Sequence, residues 1–208
     1  MIDLYTWATP NGRKVSIMLE ETGLDYTVHT VNIMKDEQFA PDFLKISPNN
    51  KIPAIVDQEN NQSIFDSVAI LLYLAEKTGK LMPTEQARRW DAMQWLIWQS
   101  SSLGPMLGQA HVYLKFNPDL SPPASQRFGR EAERLYSVLD RRLADEPFVA
   151  GEYSIADIAI FPWTARFAWH QIDLQKFSNV FRWYQEIAAR PAVQKGFGVP
   201  KVEDIPMP

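Results

Sequence analysis

Two short stretches near the start of the chain alternate hydrophobic and polar residues, and a stretch with helical spacing separates them. Residues 2–6 and 26–31 alternate with a period of two, which predicts two β-strands. Between them, apolar residues recur every three or four positions, after a turn that begins at Thr9 and before Gly23, a residue typical of helix ends. Because such crossovers are right-handed, this β-α-β unit predicts a parallel pair of strands.

The next hydrophobic segments are shorter and lie closer together. Residues 53–57 and 63–65 have the composition of short strands, and a polar, turn-rich loop joins them, which predicts an antiparallel hairpin. Residues 67–78 are apolar and are followed by Gly79, which predicts a helix. The order indicates an α/β first domain, residues 1–81, with a four-stranded mixed sheet flanked by helices.

Strand patterns stop after residue 85, and amphipathic helical patterns replace them. These patterns cover residues 90–103, 125–143 and 179–189. Ser154 opens a further helix with a capping box in which Asp157 stands where Glu is usual. We therefore expect residues 86–208 to form an all-helical second domain, with an irregular tail from Gly196.

The composition excludes several classes of function. The chain has 46% hydrophobic and 22% charged residues, which is ordinary for a folded soluble protein. Its net charge of −4 argues against nucleic acid as the main partner, since nucleic acid binding requires clustered Lys and Arg. The histidines, His29, His111 and His170, have no metal-ligand spacing, so no metal site is predicted.

The chain contains no cysteine. Disulfides, thiolate metal sites and a nucleophilic thiol of the protein itself are therefore excluded. No export signal is visible at the N-terminus, where Asp3 interrupts any apolar run, and the longest apolar run, residues 68–75, is too short to span a bilayer. We expect a cytoplasmic protein.

Two features predict a site for an extended, anionic peptide. Pro53 begins a strand, and if the Ile52–Pro53 bond is cis, the N–H and C=O of Ile52 are left unpaired for a peptide that binds as an added strand. Asp66 and Ser67 open an apolar helix whose N–H groups and positive dipole end favour a carboxylate. The alternative is purely structural: the proline begins a strand and the pair caps a helix.

Three short motifs follow the β-α-β unit. They are the segment Lys-Ile-Pro-Ala-Ile-Val-Asp at residues 51–57, the helix start at residues 66–70 and the capping box at residues 154–157. In this order they resemble the cytosolic glutathione transferases, with a thioredoxin-like first domain, over nearly the whole chain. Residues 9–14, 47–53 and 103–109 are similar to the bacterial nu class, whose members are implied to reduce disulfides with glutathione and to conjugate poorly.

The resemblance implies how glutathione binds. Ile52, beside Pro53, would pair its backbone with the cysteinyl unit, which agrees with the unpaired-backbone argument above. Asp66 would bind the α-ammonium of the γ-glutamyl end, and the hydroxyl and N–H of Ser67 would meet its α-carboxylate. Capping and ligand binding are compatible, because both use the same donors.

Further residues are implied with less support from the pattern itself. Gln38 would contact the glycyl end of glutathione, Lys51 is another carboxylate partner, and Arg127 would reach the ligand from the neighbouring subunit of a homodimer. Gln38 and Arg127 are equally interpretable as solvated surface residues. The face for the second substrate is implied to include Trp7, Met106 and His111.

The family places the group that activates the glutathione thiol just after the first strand. A free thiol has a pKa of about 8.5, so a donor that stabilises the thiolate is needed near neutral pH. Here Asn11, with amide donors, and Thr9, with a hydroxyl, occupy the turn that holds Tyr or Ser in many relatives. A helix cap at Thr9 and a turn residue at Asn11 explain the pattern equally well. Tyr5 points either into the core or toward the ligand.

The sequence therefore predicts a glutathione transferase-like enzyme that is a homodimer and uses glutathione as co-substrate, with no permanently bound cofactor. We expect it to reduce a small disulfide with glutathione, with weak conjugating and peroxidase activity. Two alternatives stay open: a conventional transferase that conjugates hydrophobic electrophiles, and a non-catalytic dimeric interaction module. Neither nucleic acid nor a membrane is expected as a partner.

Overall fold

The structure, a computed structural model, describes all residues from Met1 to Pro208. By their internal contacts the residues form two compact units. The first unit contains residues 1–80 together with residues 189–205, and the second contains residues 81–188 together with the last three residues.

The first unit contains the predicted mixed sheet. Its strands are β1 (Ile2–Thr6), β2 (Tyr26–Thr30), β3 (Ala54–Asp57) and β4 (Gln62–Phe65), in the spatial order β2-β1-β3-β4. β1 pairs in parallel with β2, whereas β3 is antiparallel to both β1 and β4. The predicted α/β class of the first domain and its four-stranded mixed sheet are confirmed.

Nine α-helices follow the chain order. They are α1 (Pro10–Thr22), α2 (Pro41–Ile46), α3 (Ser67–Thr78), α4 (Gln86–Trp98), α5 (Gly104–Ala110), α6 (Pro122–Asp145), α7 (Ile155–Thr164), α8 (Ser178–Ala188) and α9 (Pro191–Phe197). None of them is both long enough and apolar enough to cross a membrane.

Local signals explain the ends of α1. The hydroxyl of Thr9 accepts a hydrogen bond from the N–H of Gly12 at 3.1 Å, and Pro10 takes the first helical position, where no N–H is needed. At the other end Gly23 adopts a left-handed conformation with φ 73°, and its N–H bonds to the carbonyl of Leu19. α1 therefore begins directly after β1, at the edge where the candidate site lies.

The second unit is helical, as predicted, and α4 and α6 begin earlier than the pattern indicated. α4 continues through π-helical residues Gln99–Leu103 into α5, and α5 continues through π-helical residues His111–Phe116. The capping box of α7 is present, since Ser154 accepts from the Ala156 N–H and Asp157 accepts from the Ser154 N–H.

Residues 189–205 were expected to belong to the helical domain, but they lie with the first unit. Hydrogen bonds and an ion pair join this segment to α1. Ser16 Oγ donates to the Gly196 carbonyl at 2.7 Å, and Arg190 makes a two-pronged ion pair with Glu21 at 2.7 and 2.9 Å. The predicted irregular tail from Gly196 also begins later, because α9 extends to Phe197.

Gly196 allows α9 to approach the backbone of α1. A Cβ on Gly196 would lie 2.5 Å from the Cα of Ile17 and 2.7 Å from its nitrogen. Because backbone cannot yield as a flexible side chain can, we expect Gly196→Ala to lower the free energy of unfolding by about 1–3 kcal/mol in urea titrations. The matched change Gly129→Ala in α6, where the nearest atom to the new Cβ is 3.9 Å away, should instead raise it by about 0.5–1 kcal/mol. Equal effects of the two changes would contradict this packing argument.

Candidate functional site

A cleft of about 290 Å³ opens on the first unit, next to the start of α1 and the start of α3. Its walls come from the N-terminal turn of α1, the loop before β3, the end of β4 and the tip of α3. The lining residues are Asn11, Ser47, Asn49, Lys51, Ile52, Pro53, Phe65, Asp66 and Ser67. The cleft therefore brings together both features that the sequence associated with an anionic peptide.

The loop before β3 presents free backbone to the cleft. The Ile52–Pro53 peptide bond is cis, as the sequence argument required. Ser47 braces the loop, because its hydroxyl donates to the Lys51 carbonyl at 2.8 Å and its own carbonyl accepts from the Asn50 N–H. Neither the N–H nor the C=O of Ile52 is used in a hydrogen bond within the chain. An extended peptide can therefore pair with this backbone as an added strand.

Asp66 caps α3 and also faces the cleft. Its Oδ1 accepts hydrogen bonds from the N–H groups of Val68 and Ala69 at 2.9 and 3.3 Å, while Oδ2 makes no hydrogen bond within the chain. Its backbone has φ 71° and ψ 127°, a conformation that costs on the order of 1–3 kcal/mol for a residue with a side chain. Asp66 therefore caps α3 through Oδ1, and its Oδ2 is left for a ligand.

A buried lysine lies behind Ser67. Lys14 of α1 is 2% exposed, and its Nζ donates to the Ser67 Oγ at 3.2 Å. Burial lowers the pKa of Lys14 to about 7, although the nearby Asp66 carboxylate raises it. Sequence reasoning did not identify this residue, because a lysine in a helical pattern normally indicates a solvated position.

The residues proposed for thiol activation are positioned differently from one another. Asn11 lines the cleft, whereas Thr9 is not among the lining residues and its hydroxyl serves as the cap of α1. Tyr5 lies in a small apolar cluster, with its ring stacked on His29 at 4.6 Å and tilted against Phe43. Of the three, Asn11 therefore has the most direct access to a ligand.

The two residues expected to contact a carboxylate of glutathione, Lys51 and Gln38, differ in their position relative to the cleft. Lys51 is exposed and lines the cleft. Gln38 is half-buried and is not among the lining residues, and its Nε2 lies 3.4 Å from an oxygen of Asp36. Of these two residues, Lys51 alone lines the cleft.

Arg127 and Met106 line a second cavity, which lies in the helical unit. Its volume is about 380 Å³, and its other lining residues are Phe128, Arg130, Glu131 and Arg134. Arg134 is already paired with Glu131 through two hydrogen bonds of 2.8 and 2.7 Å. Trp7, in contrast, lies in the first unit before α1, and its carbonyl accepts from the Thr9 N–H.

His111 was expected on an open face for the second substrate, but its ring lies inside the helical unit. The side chain is 7% exposed and stacks on Trp163, and Nε2 is 2.8 Å from Nε2 of His170. A second hydrogen bond joins Nδ1 of His170 to the hydroxyl of Tyr136 at 3.0 Å. Since both nitrogen atoms of this contact are buried, His111 contributes to the packing of its own unit.

This buried pair predicts a loss of stability in mild acid. Burial, with a smaller effect of Arg166, lowers the pKa of His111 to about 4, whereas a histidine in the unfolded chain has a pKa of about 6.5. The unfolded state therefore binds the proton first as the pH falls, and His111 alone should cost about 1 kcal/mol at pH 5.5 relative to pH 7.5. Urea unfolding at the two pH values measures it, and His111→Gln, which cannot titrate, should show a smaller difference. An unchanged difference in this variant would contradict the assignment.

Comparison with known proteins shows the family to which the chain belongs. The model of the glutathione S-transferase N-terminal domain matches residues 8–77, and that of the C-terminal domain matches residues 122–186. The chain belongs to the glutathione S-transferase family. Among its relatives is the disulfide-bond oxidoreductase YfcG of Escherichia coli, which is 49% identical over 198 residues that cover 92% of each chain. A second disulfide-bond oxidoreductase of that organism, YghU, is 42% identical over 94% of this chain and 73% of its own.

Solved structures are similar over almost the whole fold. A glutathione transferase from Pseudomonas putida, with one glutathione disulfide bound per subunit, has a TM-score of 0.91 and 42% identity, and the match covers 96% of this chain and 91% of the other. A glutathione transferase from Burkholderia graminis, with two glutathione molecules bound per subunit, has the same TM-score and identity, over 96% and 88% of the two chains.

Proposed function

We propose that this protein is a glutathione-dependent disulfide-bond oxidoreductase, with glutathione as co-substrate. The observation that carries the proposal is the cleft itself, which combines free Ile52 backbone beside a cis proline with the carboxylate and helix tip at Asp66 and Ser67. Glutathione is extended, carries a γ-glutamyl ammonium and carboxylate at one end and offers a backbone in its middle. The names of the relatives YfcG and YghU support the same reaction.

In the proposed complex each part of the ligand meets a matching group. The cysteinyl unit pairs with the Ile52 backbone, the α-ammonium with Asp66 Oδ2, and the α-carboxylate with the Ser67 hydroxyl and the tip of α3. Lys51, which also lines the cleft, stabilises a second carboxylate of the ligand in this proposal. We further propose a homodimer, in which Arg127 of the partner subunit adds a contact to the same ligand.

The chemistry must use the thiols of glutathione, because the chain has no cysteine. The thiolate of a bound glutathione attacks one sulfur of the disulfide, which forms a mixed disulfide and releases the other sulfur as a thiolate. A second glutathione thiolate attacks the glutathione sulfur of this mixed disulfide. The products are glutathione disulfide and two reduced thiols of the substrate. Asn11 donates hydrogen bonds to the first thiolate and so lowers its pKa. We place the protein in the cytoplasm, where a reduced glutathione pool is maintained.

Conjugation is the second candidate. The same thiolate can attack an electrophilic carbon. The structure of Ure2p, which is 30% identical over 94% of this chain with a TM-score of 0.88, was solved in complex with S-hexylglutathione, a thioether. A purely structural module is less well supported, because the residues of the cleft are intact. The two enzyme activities use one activated thiolate and differ in the electrophile.

The test compares a small mixed disulfide with an aryl halide, each offered with glutathione to the purified protein. We expect fast disulfide reduction and slow conjugation. Ser67→Ala should weaken both, because it acts on the shared ligand. Fast conjugation without disulfide reduction would favour the conventional transferase, and the absence of both activities together with the absence of glutathione binding would favour the interaction module.

A further inference from the structure

Lys14 occupies an unusual place for its residue type. It lies on α1 with its side chain 2% exposed, in the part of the helix that contacts α3. Withdrawing an ammonium group from water is costly unless the group is hydrogen-bonded, so a buried lysine indicates a specific partner. One such partner is Ser67 Oγ, 3.2 Å from Nζ, at the first residue of α3.

The contact fixes the orientation of the Ser67 hydroxyl. When Lys14 is protonated, its ammonium group can only donate hydrogen bonds, so in that form Ser67 Oγ accepts from Lys14. The proton of the Ser67 hydroxyl bonds to no other group of the chain, and Ser67 lines the cleft. This proton is therefore left to be donated to a ligand, and the positive charge behind the oxygen makes the hydroxyl a stronger donor.

The charges around Lys14 allow it to stay partly protonated near neutral pH. Burial lowers the pKa of Lys14 to about 7 and the Asp66 carboxylate opposes that shift. The other charged groups of α1 have partners in the C-terminal segment: Arg13 pairs with Glu203, Glu20 with Lys195 and Glu21 with Arg190. An anion bound at the tip of α3 would add a second negative charge beside Asp66 and favour the charged form of Lys14 further.

We propose that Lys14 is a positioning residue for glutathione, which acts through Ser67 to aim a hydroxyl donor at the α-carboxylate of the γ-glutamyl unit. The inference rests on the proposed function, and it specifies which group of the ligand the buried amine serves. It predicts that Lys14 is needed for recognition of that carboxylate and not for recognition of the rest of the tripeptide.

The test uses two ligands that differ in one group. Glutathione is compared with γ-aminobutyryl-cysteinylglycine, which keeps the amine and the rest of the chain but lacks the α-carboxylate. We expect Lys14→Met, which is unbranched and apolar, to weaken glutathione binding about tenfold in calorimetry and to change binding of the analogue less than about twofold. Lys45→Met, the same change at an exposed lysine of α2, should leave both affinities unchanged.

A structural role for Lys14 would give a different result. Lys14→Met would then weaken both ligands equally, or lower the melting temperature without altering the ratio of the two affinities, and either result would overturn the inference. If the methionine variant does not fold, Lys14→Gln, which keeps a neutral donor, replaces it. We expect Lys14→Gln to lose part of the preference for glutathione over the analogue.

A double variant tests whether Lys14 acts through Ser67. Lys14→Met combined with Ser67→Ala should bind glutathione no more weakly than Ser67→Ala alone, because Lys14 acts through that hydroxyl. Failure of the wild-type protein to bind glutathione would instead refute the proposed function itself.

Discussion

Replacement of Asp66 by alanine is expected to weaken glutathione binding about a hundredfold. The change removes the carboxylate that would pair with the ligand ammonium, a charged hydrogen bond of about 1.5–3 kcal/mol. It also removes the cap of α3, whose two hydrogen bonds to Val68 and Ala69 are worth about 1 kcal/mol. Calorimetric titration with glutathione measures the first loss and thermal unfolding measures the second.

Asp66→Asn separates the two contributions. Asparagine caps helices as well as aspartate does, so α3 should stay intact and the melting temperature should not change. The charge is absent, so the affinity for glutathione should still fall about tenfold. If Asp66→Asn binds glutathione like the wild-type protein, the residue is a cap only and the assignment of the ammonium partner is wrong.

Replacement of Asn11 by alanine is expected to lower the turnover of a disulfide at least about tenfold, which corresponds to about 1.4 kcal/mol of barrier. Asn11 lines the cleft, and its amide can donate to the bound thiolate, whereas Thr9 is not among the residues that line the cleft. The rate should fall because the thiol of bound glutathione returns toward its free pKa of about 8.5. The ultraviolet absorbance of the thiolate, followed against pH in the complex, measures this shift directly.

Asn11→Asp is the matched control for this residue. Its size is similar, but it offers acceptors and a negative charge in place of the amide donors, so it should raise the pKa of the bound thiol more than alanine does. Unchanged turnover in both variants would transfer the role to Thr9 or to backbone donors. In that case Thr9→Val should produce the loss.

Much of the first unit could be predicted from the sequence because its signals are local. The cap at Thr9, the glycine end at Gly23 and the helix from Ser67 to Thr78 each depend on residues within a few positions of one another. The turn before β3 was identified in the same way, from a proline that begins a strand. These elements position the Ile52 backbone and the tip of α3, so the outline of the candidate site followed from local patterns and the family resemblance.

The parts that were missed depend on contacts between distant residues. No pattern indicates that Gly196 lies against Ile17, and the prolines and glycines near the end of the chain suggested an irregular tail. Lys14 has helical spacing and a charge, which normally indicates a solvated position, and only the fold places Ser67 over its amine. His111 was placed on an open face because nothing in the sequence reveals its contact with His170.

The most direct test of this account is a calorimetric titration of the purified protein with glutathione, repeated with the isomer in which the glutamyl residue is linked through its α-carboxyl group. The isomer has the same composition, but its free glutamyl carboxylate is at the end of the side chain and no longer on the carbon that carries the ammonium. The account predicts saturable binding of glutathione and much weaker binding of the isomer. No saturable heat with glutathione at millimolar concentration would contradict it.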